Sequence, residues 1–506
     1  LNLQTEPKRE SDFMTDSKKS LLVTCALPYA NGPLHFGHIL EHTQADIWVR
    51  FQRLQGHQCT FVCAADTHGT PIMVAAQQKN IKPEELVANA RQSHIEDFKK
   101  FQISHDIYSS THTAATKELC ETFYHRMKQK NLIKTASIQQ LFCEHDRMFL
   151  PDRFVKGTCP KCGAKDQYGD NCEKCSATYS PNDLQSPYCV VCKNAPITKS
   201  SEQIFFHVNA YRDFLQDWLK NHTAKEVCNK MLEWFKDELR DWDISRNAPY
   251  FGFLIPGYTD KYFYVWLDAP IGYMSATKEL SESLYKNFWE SSDPQHEVYH
   301  FIGKDIIYFH TLFWPALLKA ADFRTPTAVF THGFLTLNGE KMSKSKGTGL
   351  NVSSYLKFLD SDYLRYYLAL KLGPGMDDID FNLEDFVLKV NADLVGKITN
   401  LASRGAQMLG KNFRSMIVAP DQEGLALLEK IQSAQGSIAE HYKTRNFHKA
   451  LAEIKQLADE ANKYFDEKAP WKTLASDPAS TQIVLSNTLN AFRLIAIYLK
   501  PVVPAF

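Results

Sequence analysis

Two stretches of the chain repeat one order of elements, and that order restricts the fold more than any other feature. Residues 21–27 (LLVTCAL) form a short β-rich run, and the loop PYANG follows. Pro33 then opens a helical pattern that ends at Gly56, and residues 58–64 (QCTFVCA) read as a second strand. Strand, loop, helix and strand predict an α/β unit on a parallel sheet. The pattern returns as a strand over 298–302, Gly303, a helix from Asp305 and a strand over 328–331. Residues 334–337 with Asn338-Gly339 then give a hairpin signal. Between the two stretches, helical patterns run to about residue 135 and resume over 208–240. Residues 140–200 are rich in Cys, Asp, Gly, Lys and Pro, with little periodicity. One α/β domain split by an insertion is therefore expected. Beyond residue 355 the pattern is mostly helical. Phe447, Leu451, Ile454, Leu457, Ala461, Tyr464 and Phe465 form one apolar stripe; Pro470 stops that helix, and a last one spans 481–499.

Lys and Arg together number 58, as do Asp and Glu. Bulk charge does not announce a nucleic-acid partner, and any basic footprint must be local. No apolar run reaches the ~18 residues of a membrane span. Residues 1–20 are polar, lack the apolar core of a signal peptide, and read as a disordered tail in which Met14 is the natural start. The apolar end at Phe506 reads as a truncation. Of the 12 cysteines, Cys25, Cys59, Cys63, Cys120 and Cys228 are scattered and read as small core residues. Six others crowd into residues 159–192. Cys159-x-x-Cys162, nine residues and Cys172-x-x-Cys175 have the spacing of a four-thiolate zinc knuckle rather than of disulfides. That points to a cytoplasmic protein. Cys189-x-x-Cys192 is a further half-site.

Two segments carry phosphate chemistry. In Asn31-Gly32-Pro33-Leu34-His35-Phe36-Gly37-His38, a helix N-terminus offers free N–H groups and partial positive charge to an anion. His35 and His38, three apart, are expected on one helix face, and Gly37 leaves room for a flat base against the backbone. The bland alternative is a pair of surface histidines. In Lys341-Met342-Ser343-Lys344-Ser345-Lys346-Gly347, lysines among small residues make a loop able to close on a leaving pyrophosphate; the alternative is a solvated basic loop.

HFGH and KMSKS resemble the two signatures of class I aminoacyl-tRNA synthetases. TCALPYANGPLHFGH, FYVWLDAPIGYM, FIGKDIIYFHTLFWPALL and NADLVGKITNLASR resemble the methionyl-tRNA synthetase family of bacterial type, from about residue 21 to 506. Phe36 departs from the family's usual aliphatic residue. The resemblance implies a Rossmann-like catalytic domain with a parallel sheet, split by a zinc-knuckle insertion and followed by an all-α anticodon-binding bundle. The expected divisions are 1–20, 21–118, 119–249, 250–340, 341–398 (KMSKS loop and stem-contact region) and 399–506. The implied reaction activates L-methionine with Mg-ATP and passes it to the terminal adenosine of tRNA(Met), the initiator included.

By resemblance, His35 and His38 contact ATP phosphates beside Gly37, Lys341 and Lys344 serve the transition state, and Asp305 holds the ribose. Asp66 pairs with the substrate ammonium. Leu27, Tyr29, Trp266, Ala269, Pro270, Tyr273, Ile306, His310 and Trp314 line the methionine pocket, with His310 or Tyr29 donating to the thioether. Asn400, Arg404 and Trp471 read the anticodon. Cys159, Cys162, Cys172 and Cys175 hold a structural zinc. Cys143, Cys189 and Cys192 with Asp146 or His145 offer a second zinc site, or else a degenerate knuckle of free thiols. A monomer is expected, or a dimer if a C-terminal module follows in a longer chain. Other class I synthetases, a small nucleotidylyltransferase and a zinc-ribbon RNA-binding module are the rival readings.

Overall fold

The structure, a computed structural model, describes residues 18–169, 172, 174–175, 177, 179–341 and 351–506. Five strands build a central sheet: β1 (Ser20–Cys25), β2 (Gln58–Ala65), β3 (Ile107–Ser110) and, after a long insertion, two more. The insertion contributes β4 (Ile133–Cys143) and β5 (Ile197–Phe206), and the sheet resumes with β6 (His296–Gly303) and β7 (Ala328–His332). The order is β7-β6-β1-β2-β3, and every pair is parallel. The chain order reverses between β1 and β6, which makes that junction the switch point of an open α/β sheet.

Side-chain alternation along the strands sends two sets of residues to two cores. Leu22, Val62, Val298, Ile302 and Val329 join a core with the helices Ala114–Gln129, Val265–Leu280 and Trp314–Ala320. Val23, Phe61, Cys63 and Phe301 face the other core, which includes the first helix, Phe36–Leu54, and runs on into the C-terminal helices. The helical bundle is thus packed against the sheet domain through that first helix, and Trp48 fixes the contact by donating its indole N–H to the carbonyl of Lys443 at 3.1 Å.

Several expectations shift. The tail boundary at residue 20 falls inside β1, since Ser20 pairs with His296 and Gln58. The helix expected from Pro33 starts at Phe36, with His35 as its N-cap. The helical stretch to residue 135 hides the four-residue β3, whose neighbour β2 is distant in sequence. The aperiodic region 140–200 is bounded by a long ribbon in which β4 and β5 pair antiparallel from Ile133–Phe206 to Phe142–Ile197. The helix expected from Asp305 is a 3₁₀ turn (Lys304–Ile306), a π turn (Phe309–Phe313) and then Trp314–Ala320.

After β7, Leu335–Leu337 and Glu340–Lys341 pair as the expected hairpin. Asn338 and Gly339 both take positive φ, 51° and 80°, as a two-residue hairpin turn requires. In the helical part, Phe447, Leu451, Ile454, Leu457, Ala461 and Phe465 are buried along Phe447–Lys468, and Tyr464 is half-buried. That helix ends with Ala469 in the left-handed region before Pro470. No helix among the described residues is long and apolar enough to cross a membrane.

Candidate active site

A cleft of about 880 Å³ opens at the carboxyl ends of β1, β2 and β6. Ala26 and Leu27 follow β1, Asp66 follows β2, and Gly303 with Asp305 closes β6. The first helix presents its N-terminus there. His35 and His38 cap that end reciprocally: the Gly37 N–H donates to His35 Nδ1 at 3.1 Å, and the His35 N–H donates to His38 Nδ1 at 3.2 Å. Both rings therefore accept through Nδ1, so a neutral ring carries its proton on Nε2. The rings stack with centroids 3.7 Å apart. The positive end of the helix dipole and two imidazole donors together favour an anion at this spot.

Asp66 supplies the opposite charge preference. It is half-buried; its Oδ1 is out of solvent with no hydrogen-bond partner, and the carboxylate accepts from the His68 backbone. Burial, and then the charge of Asp268, push its carboxyl well above the usual range. A buried carboxylate in that condition calls for a cation beside it. Asp66 is aligned with Tyr29 by a parallel bridge, and the Tyr29 hydroxyl donates to the carbonyl of His68 at 2.9 Å.

Of the expected pocket residues, Leu27, Tyr29, Asp66, Trp266 and Ile306 line the cleft. Gly37, His38 and Asp305 line its phosphate side. Trp266 lies flat on Phe309, with centroids 3.7 Å apart. Ala269, Pro270, Tyr273, His310 and Trp314 are buried behind the wall instead. The Tyr273 hydroxyl is 2.9 Å from His310 Nε2, and His310 Nδ1 is 3.2 Å from the carbonyl of Ile306. That carbonyl only accepts, so His310 donates through Nδ1 and accepts from Tyr273. Burial holds His310 neutral, with a pKa near 4. Its proton, like that of Tyr29, is already engaged, so neither residue donates to a thioether in this arrangement. Trp314 donates to His300 Nε2 at 3.0 Å.

The second phosphate segment is only partly described. Lys341 ends the hairpin strand, while Met342, Ser343, Lys344, Ser345, Lys346 and Gly347 lie outside the described residues. The chain re-enters next to the first segment, where Asn351 bridges His35 and the Val352 N–H donates to the carbonyl of Leu34.

Sequence reasoning missed three groups. Glu41 lines the cleft and meets His332, from the end of β7, at 3.1 Å. Burial pulls the His332 pKa down, but the Glu41 hydrogen bond and charge, the Gly333 carbonyl and the Asp305 charge together outweigh it, and the net shift is upward. Arg246, from the short strand Ser245–Asn247, sits 3.6 Å over the Tyr264 ring and 3.2 Å from Asp243. Tyr308 and Phe309 add aromatic wall next to the motif residue Ile306. A helical offset from Asp305 was the one available signal for these last two; Glu41, His332 and Arg246 carried none.

Two sulfur clusters lie in the insertion. Sγ of Cys159 is 3.8 Å from Cys175, and Sγ of Cys162 is 3.6 Å from Cys172. Cys143 Sγ is 3.4 Å from Cys192 Sγ, and Asp146 Oδ2 is 3.2 Å from Cys143 and 3.1 Å from Cys189. Within each set of four the ligand atoms lie within 4.8 Å of one another. Four thiolates around one zinc at about 2.3 Å place sulfurs about 3.8 Å apart, and a disulfide would need about 2.05 Å. Both sets suit a metal ion. His145 is exposed and pairs with Asp146 at 3.1 Å. On the helical domain, Arg404 stands one turn after Asn400, and its guanidinium lies 5.5 Å over the ring of Trp471, which is 47 % exposed.

The family model described as "tRNA synthetases class I (M)" matches residues 21–406. A second, "Anticodon binding domain of methionyl tRNA ligase", matches residues 418–506. A methionine–tRNA ligase of Bdellovibrio bacteriovorus is 55 % identical over 495 residues, covering 97 % of this chain and 72 % of that protein. The Mycobacterium tuberculosis methionyl-tRNA synthetase in complex with methionyl-adenylate is 26 % identical with a TM-score of 0.80, over 96 % of this chain and 92 % of that one. The apo form of the M. tuberculosis enzyme gives 25 % identity and a TM-score of 0.71, over 97 % and 91 %. With a family model over most of the chain and a relative 55 % identical over 97 % of it, the chain belongs to the methionyl-tRNA synthetases, class I enzymes with methionine–tRNA ligase activity.

Proposed function

We propose that the cleft joins methionine to ATP and then hands the methionyl group to tRNA(Met), the initiator included. The carrying observation is the pairing of a carboxylate with one buried, unpartnered oxygen, Asp66 Oδ1, with a histidine-flanked helix start in one cleft. An α-amino acid brings the ammonium that Asp66 lacks. Mg-ATP brings the anion that His35 and His38 suit, and a flat base for which Gly37 leaves room. The methionine carboxylate is already ionised at neutral pH. Attack on the α-phosphorus, with loss of pyrophosphate, then depends on alignment and on stabilising charge. Asp305 serves the ribose, and Lys341 and Lys344 serve the departing pyrophosphate. Leu27, Tyr29, Trp266 and Ile306 make direct contact with the thioether side chain. Ala269, Pro270, Tyr273, His310 and Trp314 brace that wall from behind.

The zinc ions are structural. Cys159, Cys162, Cys172 and Cys175 hold one, and Cys143, Asp146, Cys189 and Cys192 hold a second. Bound zinc would tie the ends of the β4–β5 ribbon to the knuckles. Thiols gathered for metal support a reducing, cytoplasmic setting. Asn400, Arg404 and Trp471 form the anticodon surface, with the exposed indole stacking on an unpaired base. The divisions at 118, 249, 340 and 398 remain the proposed domain limits, and the chain acts as a monomer. The enzyme assay is methionine-dependent ATP–pyrophosphate exchange, run beside tRNA(Met) charging. Trp471→Ala should keep exchange and lower charging by about tenfold or more. Equal loss of both, or exchange with another amino acid in place of methionine, would overturn the reading.

A further inference from the structure

The aromatic wall of the cleft continues to the molecular surface. Trp266 lies on Phe309 with centroids 3.7 Å apart, Phe309 meets Tyr308 at 4.2 Å, and Tyr308 stacks on Trp234 at 5.6 Å and 15°. The first three line the cleft. Trp234 belongs to the insertion, in the 3₁₀ turn Glu233–Lys236, and is 48 % exposed. The exposure is built in, because the residues around the indole are fixed. Met231 and Phe235 are buried at 1 % and 5 % exposure. Arg212 donates to the carbonyls of Phe235 and Asp237 and lies 5.6 Å over the Phe235 ring. The turn is therefore clamped with Phe235 pointing inward and Trp234 left at the rim.

A large π-face at a cleft rim, joined to rings inside, suits a flat, unpaired ring that enters from solvent. Methionine and ATP are held deeper, at Asp66 and at the helix start. The substrate that must reach inward past this rim is the single-stranded 3′ end of the tRNA. Unpaired bases stack on exposed aromatics irrespective of sequence. We propose that Trp234 is a stacking platform for an unpaired base of the tRNA 3′ end, engaged in the transfer step and not in methionine activation. This rests on the tRNA-charging reading above.

The test uses the whole enzyme loaded with methionyl-adenylate and mixed with tRNA(Met) in a single turnover. Trp234→Ala should lower the second-order transfer rate by about tenfold, and Trp234→Phe should restore most of it. Pyrophosphate exchange and the melting midpoint should match wild type in both variants. Binding of tRNA(Met) trimmed of its unpaired 3′ nucleotides should be the same in wild type and Trp234→Ala. The proposal is overturned if transfer is unchanged in Trp234→Ala, if exchange falls in step with transfer, or if trimmed tRNA shows the same loss of binding. A wild-type enzyme that supports exchange but charges no tRNA would instead refute the parent reading.

Discussion

Two buried carboxylates near the cleft, Asp66 and Asp268, oppose each other. Burial drives both pKa values well upward, and the Asp268 charge adds to the shift of Asp66. His68 Nδ1 stands 2.8 Å from Asp268, but burial holds His68 neutral with a pKa near 3. Among the described residues no cation therefore relieves this pair. A substrate ammonium at Asp66 would favour the ionised carboxylate, so its pKa must fall on binding. At any pH between the bound and free values, methionine binding should release a proton. Calorimetry in buffers of different ionisation enthalpy reads this directly. Asp66→Asn should abolish the release and weaken binding by about 2–5 kcal/mol, roughly thirtyfold or more. Proton-neutral binding by the wild-type enzyme at every pH from the ordinary carboxylate range to neutral would contradict the assignment. Asp66 was legible because it sits in a contiguous motif. Glu41 and His332 were not, since nothing local in either segment signals a contact across 291 positions.

At the scale of single elements, the first helix shows how one residue serves structure and chemistry together. His35 is the N-cap, and its ring accepts the Gly37 N–H. Asn is among the strongest N-caps, whereas Ala forfeits about 1 kcal/mol. His35→Asn should therefore keep the melting midpoint near wild type while His35→Ala lowers it. Both should depress pyrophosphate exchange by an order of magnitude or more, through the lost imidazole donor. Equal activity in His35→Asn and wild type would leave His35 with a capping role alone. The sequence pattern conveyed this helix well, because a Gly-Pro loop and an apolar period are local signals. It conveyed β3, β4 and β5 poorly. β3 (Ile107–Ser110) has only four residues, and its identity comes from pairing with β2. β4 and β5 are half-exposed, with Ser, Gln and Lys among their residues, and are paired across more than fifty intervening positions. Strand signals of that kind depend on a partner that a linear reading does not see.

Over the whole molecule, one buried arginine joins the first helix to the C-terminal part of the chain. Arg365, from the helix Ser361–Lys371, is fully buried and donates to Asp46 at 2.6 Å. It also donates to the carbonyls of Phe101, Pro501 and Val502. Asp46 further accepts from Arg50 and from Ser104. Arg365→Met would leave a buried carboxylate short of a partner and several carbonyls unsatisfied, at a cost of about 3–5 kcal/mol. Replacing both partners, as in Arg365→Met with Asp46→Leu, should cost less than the sum of the two single changes. The same pair sets a pH dependence. Burial alone would raise the Asp46 pKa, but Arg365, Arg50 and the Ser104 hydrogen bond outweigh it and hold the carboxyl below its ordinary value. The folded value then lies below the unfolded value of about 3.9. The unfolded state takes up the proton first, so this contribution is full above about pH 4 and is lost as pH falls through the folded pKa. Urea denaturation at neutral and acid pH should show that loss in the wild type and a smaller one in Asp46→Asn. If Asp46→Asn and wild type lose stability in parallel on acidification, the carboxyl is not held down by its arginines. The joint between the first helix and the C-terminal part of the chain would then rest on packing and the Trp48 hydrogen bond.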